Sequence, residues 1–243
     1  MGSEHGAHGA GRAIVVPTAA DLAEPAAEWI VREVRAAIQE RGGCALALAG
    51  GRTPGPAYRE LANAPDIQWA RVQVFFGDER AVPPDHPESN YRLVRDTLLS
   101  QVPIPEANVH RMEAERPDRD AAARAYEQGL PPSLDVLVLG IGADGHTASL
   151  FPGSPALDER VRLVVPVVGP KPPPERLTIT PPVIERARRV AVIAAGGEKA
   201  DVVARALGGA VAPEEVPARL ARRGTWLLDR AAAARLAASE ARR

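Results

Sequence analysis

The densest chemistry in this chain lies in Leu139-Gly140-Ile141-Gly142-Ala143-Asp144-Gly145-His146-Thr147-Ala148-Ser149-Leu150-Phe151-Pro152-Gly153. An apolar segment enters a glycine-dense loop in which an aspartate and a histidine stand two apart. Glycines around His146 let the backbone present its imidazole to a bound molecule. A histidine, with an ordinary pKa of about 6.5, can serve as general base near neutral pH. Asp144 can orient that ring or bind a hydroxyl of the ligand. Gly140, Gly142 and Gly145 also satisfy the Gly-x-Gly-x-x-Gly spacing of a dinucleotide loop. That reading is set aside, because the match falls late in the chain and Asp144 and His146 would crowd a pyrophosphate. His5 and His8 are tail residues, and His86 and His110 lack comparable surroundings.

Three further segments carry charge or glycine directly after apolar runs. Gly50-Gly51-Arg52-Thr53-Pro54 precedes a helix-like stretch; paired glycines permit a tight turn, and amides at the helix start can hold an oxyanion or phosphate. It is neither a Walker loop nor a dinucleotide fingerprint. Gly77-Asp78-Glu79-Arg80 places three charges after a strand, where they must face solvent, pair or meet a ligand. Arg80 then either pairs with a neighbouring acid or polarises a ligand oxygen. Arg176, ahead of a helix, and Lys199, after a strand, are candidates for clamping a phosphate dianion. Lys199 is one of only two lysines, with Lys171, among 30 basic residues. Cys44 lies inside an apolar run and reads as a small buried hydrophobe.

These loops need a scaffold, and the rest of the chain supplies one. Apolar strand-like runs at Ala13–Val16, Cys44–Ala49, Val72–Phe76, Leu134–Leu139, Arg162–Val168, Val190–Ala195 and Thr225–Leu228 alternate with helical stretches. One helix follows the first strand, and others fall near Pro54–Leu61, Tyr91–Leu99, Arg119–Gln128, Glu198–Leu207 and Arg230–Ala238. In the first of them Leu22, Ala26, Ile30, Val34 and Ile38 recur every four residues and mark a buried side, after a capping-box spacing of Thr18 and Asp21. Gly42-Gly43 stops that helix. Such alternation implies an α/β fold, a Rossmann-like three-layer sandwich with a mainly parallel central sheet flanked by helices. Ligands then bind beyond the carboxyl ends of the strands. The expected organisation is a disordered tail over residues 1–12 and a single domain over residues 13–243.

Composition narrows the function classes. The 243 residues are 45% hydrophobic and 25% charged, enough to bury a core, and the formal net charge of -1 disfavours a general nucleic-acid binder. Aromatic residues at 4% leave little for stacking on single strands. No apolar run is long enough to span a membrane, one cysteine cannot form an internal disulfide, and the Gly/His/Ala-rich start lacks a signal-peptide core. A cytoplasmic enzyme, with no membrane or nucleic-acid partner, is the expectation.

Taken together, the segments resemble the 6-phosphogluconolactonase branch of the glucosamine-6-phosphate isomerase/6-phosphogluconolactonase superfamily. The resemblance rests on Gly50–Pro54, Gly77–Arg80 with Ser89-Asn90, the Asp144–Pro152 run, Pro172–Arg176, Lys199 and Trp226–Asp229. Ala49 departs from it, since the family often has Ser there. The resemblance implies hydrolysis of 6-phospho-D-glucono-1,5-lactone to 6-phosphogluconate in the oxidative pentose phosphate pathway, without metal or cofactor, by a monomer or homodimer. It implies that His146 activates water and Arg80 stabilises the oxyanion, with Asp78 and Asp144 positioning ring hydroxyls or the imidazole. Arg176, Lys199 and amides of the Gly51–Thr53 loop would hold the 6-phosphate, and Gly50, Gly51, Arg52 and Thr53 all count as substrate-binding. A glucosamine-6-phosphate deaminase is the nearest rival, but Thr147-Ala148-Ser149 follows His146 where that chemistry needs a glutamate. A non-catalytic sugar-phosphate sensor is the other alternative.

Overall fold

A computed structural model describes residues 11–208 and 211–236 of the chain. Among the described residues nine strands form two sheets. The larger is wholly parallel, in the order β1 (Ala13–Val16), β9 (Thr225–Asp229), β8 (Arg189–Ala194), β5 (Val136–Gly140), β2 (Cys44–Leu48), β3 (Val72–Phe76). The smaller is antiparallel, β4 (Asp78–Arg80), β7 (Glu175–Ile179), β6 (Val164–Val168). Helices α1 (Ala23–Arg41), α2 (Gly55–Asn63), α3 (Asn90–Thr97), α4 (Arg119–Gly129), α5 (Pro181–Arg186) and α6 (Ala200–Leu207) flank the strands. Among the described residues no helix is long and apolar enough to cross a membrane.

The large sheet is parallel because its strands are apolar on both faces. All five residues of β2 are buried, and Val136 to Leu139 and Ala191 to Ala194 are buried as well. Leu22, Ala26, Ile30, Val34 and Ile38 are all buried, as the four-residue periodicity predicts. Asp21 does reach back to the Thr18 amide and hydroxyl, at 2.9 and 2.7 Å, although a single 3-10 turn (Ala20–Leu22) precedes α1. Gly42 ends the helix in the left-handed conformation at φ 80°, its N–H bonded to the Ile38 carbonyl.

Chain direction across the sheet reverses between β2 and β5. From β2 the chain moves outward to β3, whereas from β5 it moves the other way, through β8 to β9. The loops leaving the carboxyl ends of β2 and β5 therefore diverge and open a crevice, the usual ligand position in such sheets.

The small sheet was not expected. Arg162–Val168 reads as another strand of the parallel sheet, but its observed part, Val164–Val168, pairs antiparallel with β7. Asp78–Arg80 and Arg176–Ile179, read as loops, are strands paired in register, Asp78 with Thr178 and Arg80 with Arg176. Gly77 makes the turn between sheets, its N–H on the Leu48 carbonyl of the large sheet and its carbonyl on the Ile179 amide of the small one. Two ends also differ. Arg230–Leu236 forms consecutive hydrogen-bonded turns rather than the expected helix, whose last residues, 237–238, lie outside the described ones. Gly11 and Arg12, assigned to the tail, are tied to Arg222 and Trp226 by backbone hydrogen bonds of 3.0 and 2.8 Å. The rest of that tail lies outside the described residues.

Candidate active site

A cavity of about 660 Å³ opens at the carboxyl ends of β2, β5 and β8, with the small sheet as its side wall. Gly50, Gly51, Arg52 and Thr53 line it from the loop after β2, and Gly140 to Ala143 with His146 and Ala148 line it from the loop after β5. Lys199 and Glu198 come from the loop after β8, and Asp78, Arg80 and Arg176 from the small sheet. Every site residue expected from the sequence except Asp144 thus borders one space, and Asp144 stands directly behind His146.

The His146–Asp144 pair is built by its loop. Asp144 Oδ1 accepts from both the His146 backbone N–H, at 3.2 Å, and the ring Nδ1, at 2.5 Å. Burial pushes the Asp144 carboxyl up, but hydrogen bonds and charge from His146 outweigh it and hold the group down at about 2. An ionised carboxylate only accepts, so Nδ1 carries the proton and Nε2 keeps its lone pair. Gly142 makes room: a Cβ there would overlap His146 Nδ1, and its own N–H bonds the His146 carbonyl at 2.9 Å. Phe151 packs on the other side of the imidazole with ring centroids 4.8 Å apart, and carries the Arg176 guanidinium 5.5 Å from its own centroid.

Strand alternation sorts Asp78, Glu79 and Arg80. Neighbouring residues of a strand face opposite ways, so Asp78 and Arg80 share the cavity face with Arg176 and Thr178, and Glu79 points away. Glu79 is buried and accepts from the amides of Arg80, Asn90 and Tyr91, each at 2.8 Å, and from the Ser89 hydroxyl at 3.0 Å. Burial raises its carboxyl while those amides oppose the rise. Glu79 therefore caps the start of α3, and Ser89 adds its own cap to the Arg92 amide. Arg80 donates from Nη1 to the Glu88 carbonyl at 2.6 Å, which fixes the guanidinium at the cavity wall. Asp78 accepts from Asn90 Nδ2 at 2.9 Å and from the Ser149 hydroxyl at 2.6 Å.

The four cations fall into two neighbourhoods. Arg176 is governed by burial, which lowers its guanidinium, and by the nearby charges of Asp78 and Arg80. Lys199 is likewise lowered by burial; Glu198 and Asp229 pull it up while Arg52 pushes it down. Arg52 and Lys199 make no hydrogen bond or ion pair with any described residue, so two like charges face one space without a direct partner. Asp229 shapes this end: its carboxylate accepts the Gly196 amide at 3.1 Å and the Ala232 amide at 2.7 Å. Gly196 needs its left-handed φ of 101° to start the turn that carries Lys199.

Asn90, Ser149 and Phe151 belong to segments that carry the resemblance but were given no role from the sequence, and Glu198 was not singled out. Ser149 and Phe151 lie within the His146 run itself, and Asn90 follows the capping Ser89, so position was the available signal. Cys44 is buried, with its thiol pushed up by burial to about 12, and stands apart from the cavity lining. His110 packs on Phe75 and pairs with Gln73 at 2.6 Å, and His86 accepts from the Glu88 amide.

Comparison with known proteins gives the family. The family described as glucosamine-6-phosphate isomerases/6-phosphogluconolactonase matches residues 17–228. A 6-phosphogluconolactonase of Mycobacterium tuberculosis is 44% identical over 240 residues, covering 91% of this chain and 97% of the relative. One of Synechocystis is 42% identical over 224 residues, covering 87% and 92%. The solved 6-phosphogluconolactonase of Trypanosoma cruzi superposes with a TM-score of 0.82 at 30% identity, over 96% of this chain and 99% of that one. With a family model matched over residues 17–228 and well-covered relatives 44% and 42% identical, the chain belongs to the glucosamine-6-phosphate isomerase/6-phosphogluconolactonase family.

Proposed function

We propose that this protein hydrolyses 6-phospho-D-glucono-1,5-lactone to 6-phosphogluconate, with His146 as general base. The observation that carries the reading is the His146–Asp144 pair at the edge of a cavity bordered by four cations. Nδ1 is committed to an ionised carboxylate, so Nε2 is free to take a proton from water. The water oxygen attacks the lactone carbonyl, and charge develops on the carbonyl oxygen. Arg80, anchored through Nη1 on Glu88, keeps its Nη2 donors for that oxygen. Collapse of the tetrahedral species breaks the bond to the ring oxygen, which leaves as a hydroxyl with the proton held by the imidazolium. Asp144 stabilises that imidazolium in between.

Arg52 and Lys199, with the amides of the Gly50–Thr53 loop, hold the 6-phosphate. A dianion there cancels the repulsion between the two cations, which accounts for their unpaired state. Asp78, with Arg176 beside it, meets the sugar hydroxyls. Positioning and a single base each contribute about 10²-fold or more, sufficient for an ester that water already opens slowly.

The test is to generate the lactone in situ from glucose 6-phosphate and follow 6-phosphogluconate above the spontaneous rate. Wild type is expected to accelerate it and His146→Ala to lose most of the acceleration. Acceleration by both would discard His146 as base, and acceleration by neither would discard the lactonase.

A further inference from the structure

Asp78 and Arg176 are opposite charges with 7% and 6% exposure on one cavity wall. At such burial an arginine and a carboxylate ordinarily close into a bidentate pair at about 2.8 Å. Here no nitrogen–oxygen distance of 4.0 Å or less joins them. Ser149 lies between. Its hydroxyl donates to Asp78 Oδ2 at 2.6 Å and accepts from Arg176 Nη1 at 3.4 Å. A hydroxyl has one hydrogen, so the polarity of the chain is settled: guanidinium to hydroxyl to carboxylate.

We propose that Ser149 is a positioning residue of this site, a neutral spacer that keeps Asp78 and Arg176 from collapsing onto each other and leaves both turned to the substrate. The donor arithmetic explains the benefit. A direct pair would use both carboxylate oxygens and one edge of the guanidinium. With the spacer, Asp78 accepts one bond on each oxygen, from Asn90 and from Ser149, and keeps acceptor capacity on both. Arg176 spends Nε on the Pro173 carbonyl and one Nη2 hydrogen on the Lys171 carbonyl, and keeps N–H groups on both terminal nitrogens. A carboxylate with spare acceptors beside a guanidinium with spare donors suits vicinal hydroxyls and the oxygens of a polyhydroxy ring.

The backbone holds Ser149 to this duty. It is fully buried, its N–H donates to Thr178 Oγ1 at 3.1 Å, and the next amide, Leu150, bonds the Thr147 carbonyl at 2.9 Å. Thr178 is the β7 partner of Asp78, so the serine is referenced to the same pair of strands that carry both ions. Ala148, immediately before it, sits at a left-handed φ of 48°, a conformation unfavourable for any residue that carries a Cβ. Relaxing Ala148 would swing the hydroxyl off the line between the two charges.

The proposal rests on the lactonase reading for its substrate, and the experiment separates the two. KM, kcat, 6-phosphogluconate affinity by calorimetry and Tm are measured for wild type, Ser149→Ala, Asp78→Asn and the double variant. Ser149→Ala is expected to raise KM and weaken 6-phosphogluconate binding about tenfold, with kcat within about threefold, as for loss of uniform binding. In the Asp78→Asn background the same change is expected to cost less than about twofold, because the hydroxyl acts through that carboxylate. A cost that multiplies in full in the double variant, or a lowered Tm with KM and affinity unchanged, overturns the proposal. Should Ser149→Ala fail to fold, Ser149→Cys, similar in shape but a weak donor, is read by the same criteria. Wild type that binds 6-phosphogluconate without turning over lactone refutes the lactonase reading, and the binding data still decide the role of Ser149.

Discussion

Replacing Asp144 separates two things a carboxylate does behind a histidine: it supplies an acceptor that fixes the ring, and it supplies a charge. Both His146 contacts converge on one oxygen, Oδ1, which accepts the backbone N–H and the ring Nδ1. A side-chain amide oxygen can occupy the same place and keep both bonds, so Asp144→Asn retains the ring tautomer and loses only the charge. The drop of the Asp144 carboxyl from 3.8 to about 2 corresponds to about 2.5 kcal/mol in favour of its ionised form. The side chain is 34% exposed, so solvent screening leaves about half of that, roughly 1.2 kcal/mol. The same charge attracts the imidazolium formed as water is deprotonated, so kcat should fall about tenfold when it is removed. Asp144→Ala removes the acceptor as well, frees the ring, and should cost about 10²-fold or more.

The assay is initial rate on freshly generated lactone, with the spontaneous rate subtracted, across pH 6 to 8. KM should stay within about threefold in both variants. Equal losses in the Asp144→Asn and Asp144→Ala variants would refute the division into charge and acceptor, and a raised KM with kcat intact would make Asp144 a sugar ligand instead. Stability gives an independent check. A depressed carboxyl contributes stability that is complete above its unfolded value, near 3.8, and is lost as pH falls through about 2. The Tm deficit of Asp144→Asn, about 2–4 °C for a chain of this size, should therefore be present at about pH 5 and close at the acid end.

Four other substitutions probe the remaining walls. Gly142→Ala puts a Cβ into His146 Nδ1 and Asp144 Oδ1; kcat should drop at least tenfold while KM changes little, and a fully active variant would mean that the pair is not held by this glycine. Lys199→Ala and Arg52→Ala should each raise KM about tenfold or more with kcat nearly constant. Their effect should shrink as salt rises, and a fall in kcat alone would move these cations to the reacting carbon. Gly50→Ala drives its Cβ into the Asn90 amide, which is buried and tied to Asp78. It should destabilise the fold by about 1–3 kcal/mol and raise KM, and unchanged denaturant unfolding would show that Asn90 can yield.

What the sequence made legible follows from where free energy acts locally. The strands of the large sheet are covered on both faces, so they appear as uninterrupted apolar runs such as Cys44 to Leu48, and the glycine and charge that follow them mark the crevice. The small sheet had no such mark. Asp78–Arg80 alternates between a cavity face and a helix-capping face, and both call for polar residues, so a strand pattern of apolar and polar positions never forms. The pairing of Arg80 with Arg176, and hence the grouping of Arg176 with Asp78 rather than with Lys199, depends on a ladder between segments far apart in the chain. No local propensity encodes that ladder. The spacer role of Ser149 stayed hidden for a related reason: inside a recognisable loop a serine is one small polar residue among several. It becomes informative only when two buried charges are found on either side of its hydroxyl. Loops that end apolar strands can thus be read one segment at a time, whereas side chains that set the distance between two charges belong to the packing of three segments at once.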